Sequence, residues 1–427
     1  MEYAKGLLSR AKELAAQTAQ EIQGQRYIAQ DQREAPSTTL SPAASLSSSV
    51  QTLEARIGRF KLELRGSRIN LDNLKRLAYN GIPDSGNLRA TVWKLLLSYL
   101  PLTPDDWSKE LAKRRTTYHV FCEELIVDPK RQAEHGGCSA AEETAGTDSD
   151  GTTPRIAGPL ALPQGPRTAG GVPVDDHPLC LSQTSKWNTY FKDSETMVQV
   201  ERDVLRTHPD MHFFTGDTPE AEAHREDMKR ALFMYAKLNP GLRYIQGMNE
   251  LIAPLYYLFR NDTQDPHSAQ YAEADAFWCF MELISDFRDH FCQQLDNAQT
   301  GIKATIRRLM QVLQYHDREL WYHIEVVHKV DPQFYAFRWL TLLLSQEFAF
   351  PDTLRIWDTI LSDPQGRMDC LLRICVAMIL HVGPVLRQGD FTVILKTLQR
   401  YPAVDVNVLL LRAAEMPPCS VVLGARV

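Results

Sequence analysis

From residue 194 to residue 415 the chain is an almost unbroken series of segments whose apolar residues recur three and four apart, punctuated by Pro, Gly and Asn. Nowhere does apolar/polar alternation run between hairpin turns, so strands are not expected. That periodicity predicts helices over about 194–207, 220–238, 249–259, 269–295, 301–315, 317–326, 332–345, 351–361, 368–381, 390–400 and 404–415. Earlier in the chain, the stripe Leu71, Leu74, Leu77, Ala78 stops at Asn80-Gly81 with Pro83 beyond it. Further helices are expected over 88–100, ended by Pro101, and over 108–126, which carries Tyr118, Phe121 and Leu125. The segments share no fixed period, so the expected fold is an all-α, multi-helix domain and not a solenoid.

The flanks differ in kind. Residues 1–34 carry an amphipathic pattern, with Tyr3, Leu7, Leu14, Thr18 and Ile22 on one stripe. Such an extension packs on the domain, frays, or meets a partner or a membrane surface, and its mixed charge limits it to peripheral membrane association at most. Residues 35–52, rich in Ser, Thr, Pro and Ala, read as a flexible linker to a folded domain over 68–415. The domain is interrupted at about 132–178 by Gly, Ala, Thr, Pro and acidic residues, the composition of a disordered insertion. A net charge of −6 without any Lys/Arg cluster excludes direct nucleic-acid binding. Residues 251–259 are too short for a membrane span, and 370–386 contain Arg373 and His381. Eight scattered cysteines without a CxxC pair, and no secretory leader, indicate a reduced, cytoplasmic protein.

Two stretches invite a chemical reading. Leu242-Arg243-Tyr244-Ile245-Gln246-Gly247-Met248-Asn249 is a polar island between a helix closed by Asn239-Pro240-Gly241 and an apolar helix that opens near Asn249. A Gln and a Gly at a helix entrance suggest that Gln246 is presented instead of packed. In Val200-Glu201-Arg202-Asp203-Val204-Leu205-Arg206-Thr207-His208-Pro209, Asp203 and Arg206 share a face, with Arg206 in the last helical turn before Pro209. One reading of that pair is a surface salt bridge worth under about 1 kcal/mol. The other joins Arg206 to Gln246 for phosphoryl transfer to water: Arg spreads positive charge over phosphate oxygens, and a Gln amide donates to the phosphoryl group while accepting from the attacking water. No GxxxxGK(S/T) loop is present, so the nucleotide would belong to another protein. Arg89 and Trp93, four apart on one helix face, read as structural. His316, His323 and His328 have no shared-metal spacing, Cys370 and Cys375 sit on an apolar helix, and no GxSxG or HExxH occurs.

Several motifs, in order, resemble the TBC-domain GTPase-activating proteins for Rab GTPases. Gly81-Ile82-Pro83 with Leu88-Arg89-Ala90-Thr91-Val92-Trp93 is similar to that family's RxxxW motif, Val200 to Arg206 to its IxxDxxR motif, and Tyr244-Ile245-Gln246-Gly247 to its YxQ motif. Phe337-Arg338-Trp339, Glu347-Phe348 and Arg355-Ile356-Trp357-Asp358 resemble the second half of the domain, and the likeness runs over about 74–401. Val200 stands where the motif has Ile, one methylene less on a core face. The resemblance implies an all-helical domain that supplies Arg206 as an arginine finger and Gln246 as a glutamine finger in trans, with Asp203 orienting Arg206, Tyr244 and Gly247 shaping the turn, and Arg89 and Trp93 structural. It implies a Rab-family small GTPase in its GTP-bound state as partner, with GTP and Mg held there and no cofactor or metal of the chain's own. The chain would then be an activator in vesicle trafficking and intracellular protein transport, without a nucleotide-hydrolysing site of its own. The alternative is a non-catalytic Rab-binding effector or scaffold.

Overall fold

A computed structural model describes residues 42–84, 87–126, 186–262, 266–291 and 301–424. The expected N-terminal extension 1–34 and insertion 132–178 lie outside the described residues. Every regular element among the described residues is helical. In chain order the α-helices are α1 Pro42–Leu64, α2 Leu71–Tyr79, α3 Leu88–Leu96, α4 Trp107–Leu125 (preceded by a 3-10 turn, Pro104–Asp106), α5 Lys186–Val204, α6 Pro219–Leu238, α7 Met248–Arg260, α8 Pro266–Ala269 and α9 Ala272–Phe291. There follow α10 Ile302–His316, α11 Arg318–Trp321, α12 Gln333–Thr341, α13 Phe350–Ser362, α14 Arg367–His381, α15 Gly383–Gln388, α16 Phe391–Gln399, α17 Val406–Glu415 and α18 Cys419–Gly424.

Most predicted helices lie where periodicity puts them, and the departures have local causes. The backbone of α1 is helical from Pro42, so 42–52 is not the linker expected there. Ile57, Phe60 and Leu64 pack on the core at helical spacing, and once that half is nucleated, extension upstream through Ala- and Leu-containing sequence adds one hydrogen bond per residue fixed. The helix predicted over 88–100 stops at Leu96: Ser98 turns left-handed, and Tyr99 and Leu100 N–H both donate to Lys94 O. The segment predicted over 317–326 divides into α11 and a π turn, Tyr322–Val327. That predicted over 332–345 ends at Thr341, because Leu343 and Leu344 are both left-handed.

The first half of the chain stacks α5 on α6 and α9 on α6 and α7, while in the second half α14 packs on α10 and α17. The two are joined where α13 lies against α2 and α3. At that seam Asp358, with no exposed surface, accepts from Arg89 Nε at 3.0 Å, Trp93 Nε1 at 2.8 Å and the Ile82 N–H at 2.8 Å. Trp93 also stacks on Trp357, ring centroids 5.7 Å apart. Burial pushes the Asp358 carboxyl up, and Arg89 with the two N–H donors pulls it back toward the ionised form. Gly81, at φ +92°, leaves room for the Arg355 side chain to cross it; a Cβ there would lie 2.8 Å from Arg355 Nε. Inside the first half, Asp275 plays a matching part, accepting from Lys94, Tyr99 and Arg115 and so tying α3, α4 and α9 together.

Candidate functional site

α5 buries Val200 and Val204 on its inner face and tightens as it ends. Leu205 N–H still reaches back four residues to Glu201 O, but Arg206 and Thr207 N–H reach back only three, to Asp203 and Val204 O, and His208 is left-handed at φ 41°. With Pro209 blocking continuation, Arg206 lies in the tightened turn just past the helix, not in its last regular turn. The Asp203–Arg206 pair is also not a surface salt bridge. The Asp203 side chain is 5% exposed and that of Arg206 is 42% exposed. Arg206 donates through Nη2 to Asp203 Oδ1 and through Nε to Arg202 O at 3.1 Å.

The other carboxylate oxygen reaches the polar island. Asp203 Oδ2 accepts from the Tyr244 hydroxyl at 2.8 Å, and Asn249 Nδ2 donates to Asp203 O at 3.2 Å and to Thr207 Oγ1 at 2.9 Å. Thr207 Oγ1 in turn donates to Asp203 O at 3.0 Å. Burial, and then the Asp203 carboxylate, push the Tyr244 phenol well up, so it remains a donor to Asp203.

Past Tyr244 the backbone turns outward. Arg243 is left-handed at φ 60°, Tyr244 is buried, and Gln246 is exposed, with no hydrogen-bond partner for its amide among the described residues. Gly247 then enters α7 from a left-handed N-cap at φ 104°. A Cβ at Gly247 would lie 2.6 Å from Leu342 Cδ2, so both conformation and space call for glycine. Glu250, in the first turn of α7, is buried with its carboxylate 3.6 Å from His208 Nε2, and Gln346 stands close enough to lower its pKa. Burial pushes its carboxyl up against the pull of His208 and Gln346. The His208 ring meets Phe350 edge-on at 4.9 Å.

Of the sequence candidates, Arg206, Asp203, Tyr244, Gly247 and Gln246 thus come together on the turns after α5 and before α7, while Arg89 and Trp93 sit apart at the α3–α13 seam. Thr207, His208, Asn249, Glu250, Leu342 and Gln346 join the site without having been candidates. Thr207 and Asn249 were visible as polar residues beside Arg206 and at the end of the island, but their burial depends on the helix packed against them. No group of three or more His, Cys, Asp or Glu able to hold a metal ion occurs among the described residues, and no helix there is long and apolar enough to cross a membrane.

A family model described as the Rab-GTPase-TBC domain matches residues 181–385. Human TBC1 domain family member 13 is 35% identical over 423 residues, spanning 85% of this chain and 98% of that protein. The chain belongs to the Rab-GTPase-TBC domain family. Another TBC relative, human TBC1 domain family member 5, is 27% identical over 384 residues, spanning 80% of this chain and 43% of that protein. The TBC fold itself recurs in the crystal structure of the Ypt/Rab-GAP domain of Gyp1p, with a TM-score of 0.62 at 22% identity over 85% of this chain and 97% of that one. It recurs also in the Chlamydomonas flagellar RabGAP TBC domain, with a TM-score of 0.51 at 16% identity over 85% and 93% of the two chains. In TBC terms, the matched stretch contains the whole Arg206–Gln246 site, including its second-half contributors Leu342 and Gln346.

Proposed function

We propose that this protein accelerates GTP hydrolysis by a Rab-family small GTPase, supplying Arg206 and Gln246 to the nucleotide in trans. The observation that carries the reading is the Asp203 carboxylate: buried, it holds the half-exposed Arg206 guanidinium with one oxygen and Tyr244 with the other, two residues before the exposed Gln246. Nε and one N–H of Nη2 of Arg206 are engaged by the chain itself, so Nη1 and the second Nη2 N–H remain to meet the phosphates. There it offsets charge that develops on the transferred group, while the Gln246 amide donates to the γ-phosphoryl and accepts from the attacking water. GTP and Mg belong to the partner, in its GTP-bound state, and this chain needs no cofactor of its own. In that role it acts from the cytoplasm at endomembranes, in vesicle trafficking.

An arginine finger is worth roughly 10³–10⁵ in rate, or about 4–7 kcal/mol. Single-turnover phosphate release across a panel of Rab GTPases tests the reading. Arg206→Ala and Arg206→Lys are expected to lose nearly all acceleration, Lys because it lacks the planar fork; wild-type rates in Arg206→Ala remove that residue's role. For Gln246 the substrate is a GTPase whose own catalytic Gln is replaced by Leu: stimulated hydrolysis is expected, and none counts against the glutamine finger. Tight binding to every active Rab without acceleration would instead leave a non-catalytic effector or scaffold.

A further inference from the structure

The turn that presents Gln246 is shaped from the second half of the chain. Leu342 follows α12 and is 8% exposed, and its Cδ2 fills the space beside Gly247 where a Cβ would stand. It opens a tight turn in which Leu343 and Leu344 are both left-handed, at φ 48° and 63°. Leucine adopts that region rarely, and two in succession have no Gly or Asn to favour them. The surroundings impose it. Leu344 N–H donates to Trp339 O at 3.0 Å, Ser345 N–H to Leu342 O at 3.0 Å, and Trp357 Nε1 to Leu343 O at 3.0 Å. The same turn reaches α7 a second time, where the Gln346 side chain stands beside the buried Glu250 carboxyl and helps hold its pKa down against burial. It therefore grips α7 at Gly247 and at Glu250, the residue that precedes the helix and the one that completes its first turn. Backbone held in unfavourable conformations gathers where a site needs its geometry fixed.

We infer that Leu342 is a positioning residue for Gln246, and that the 342–346 turn sets the direction of the backbone at Gly247 and so the placement of the Gln246 amide. This rests on the reading of Gln246 as the group that touches the water. The test is single-turnover phosphate release, with the full chain and a responsive Rab, in Leu342→Ala, Leu342→Met, Gln246→Ala and Leu342→Ala/Gln246→Ala. Misplacing a reacting group by about an ångström costs up to roughly 10²-fold, and a truncated leucine that loosens the turn is expected to lower kcat about tenfold with KM within about twofold. Leu342→Met, which keeps the volume, restores the rate to within about twofold. In the Gln246→Ala background the Leu342→Ala effect disappears, because the group it places is gone. An undiminished effect in that background, or a wild-type kcat in Leu342→Ala when Gln246→Ala is slow, overturns the inference while leaving Gln246 in its role. A wild-type rate in Gln246→Ala itself removes the underlying reading and this inference together. If Leu342→Ala does not fold, as thermal melting would show, Gln346→Leu breaks the second grip without emptying the core and is expected to show the same dependence on Gln246.

Discussion

Asp203→Asn isolates the charge that holds Arg206 while keeping the shape of the side chain. One carboxylate oxygen serves Arg206 and the other Tyr244. An Asn carboxamide has one acceptor, and the lower-energy flip points its oxygen at Arg206 and its NH2 at Tyr244, whose hydroxyl can rotate to accept. Arg206 then keeps a hydrogen bond to a neutral amide oxygen in place of an ion pair with a carboxylate. Losing the opposite charge costs under about 1 kcal/mol for exposed ion pairs and about 3–5 kcal/mol for fully buried ones, and the half-exposed guanidinium on a buried carboxylate lies toward the lower end of that range. A loss of about 1–2 kcal/mol in holding Arg206 corresponds to roughly 5- to 30-fold in kcat, well short of the effect of removing the arginine. Tyr244→Phe, which leaves Asp203 charged, is expected to cost less. The assay is single-turnover phosphate release at saturating GTPase activator, with thermal melting to establish that each variant is folded. A folded Asp203→Asn within twofold of wild type refutes the orienting role. One as slow as Arg206→Ala refutes the division of labour, because the carboxylate would then be needed in the chemistry itself.

Asp358→Asn leaves the buried Arg89 without its main counter-charge and is expected to destabilise the fold by about 3–5 kcal/mol, read as a lower urea midpoint, while kcat per folded molecule stays at wild type; a kcat loss would move Arg89 and Trp93 out of a purely structural role. Gly247→Ala forces a side chain into a left-handed position against Leu342; it is expected to cost at least about 1–2 kcal/mol in stability and to slow hydrolysis about tenfold or more, and an unaffected rate would show that the turn tolerates another backbone path. His290 is buried with Nε2 on Thr305 Oγ1 at 2.9 Å and, among the described residues, no partner for Nδ1, and burial holds its pKa down at about 4, with Asp289 pulling it up and Arg308 pushing it down. The unfolded chain, with an ordinary value near 6.5, therefore binds more protons between those limits, so stability is full above about pH 6.5 and falls by about 3 kcal/mol as pH drops to about 4. His290→Asn should flatten that part of the urea-midpoint profile, and a profile parallel to wild type would place the acid sensitivity elsewhere.

What could be read from the chain follows from the range of the interactions concerned. Helix periodicity is local, so α6, α7, α10, α13 and α14 fall within a residue or two of their predicted limits. Asp203 and Arg206, three apart, and Tyr244 and Gln246, two apart, were likewise legible as local pairs. Their connection was not: the Tyr244–Asp203 bond spans 41 residues of chain, and Arg89 finds Asp358 across 269. The helix ends that moved are those set by tertiary contacts. Nothing in Leu342-Leu343-Leu344 discourages helix, and the turn there exists because Trp357 and Trp339 engage its backbone. Glu250 is the residue type a helix N-terminus favours, and only the packing of His208 and Gln346 around it shows that the carboxyl is buried.

In the proposed role, a side chain that serves another protein's nucleotide faces a problem that an enzyme's own catalytic arginine does not, since nothing in the free protein resembles the phosphates that would order it. A free Arg carries about 2 kcal/mol of rotamer entropy, and freezing it at encounter would subtract that from the transition state. Engaging Nε and Nη2 in advance removes most of this cost, provided the holding group cannot itself move. Asp203 meets that condition because each of its acceptors is used: Oδ1 by Arg206, Oδ2 by Tyr244, and the main-chain oxygen by Asn249, Thr207 and the Arg206 N–H. A fully satisfied buried network is rigid in proportion to the penalty for breaking any one of its bonds. The polar residues that looked out of place beside an apolar helix therefore hold the Arg206 guanidinium in place in the free protein, which is what the proposed role asks of it.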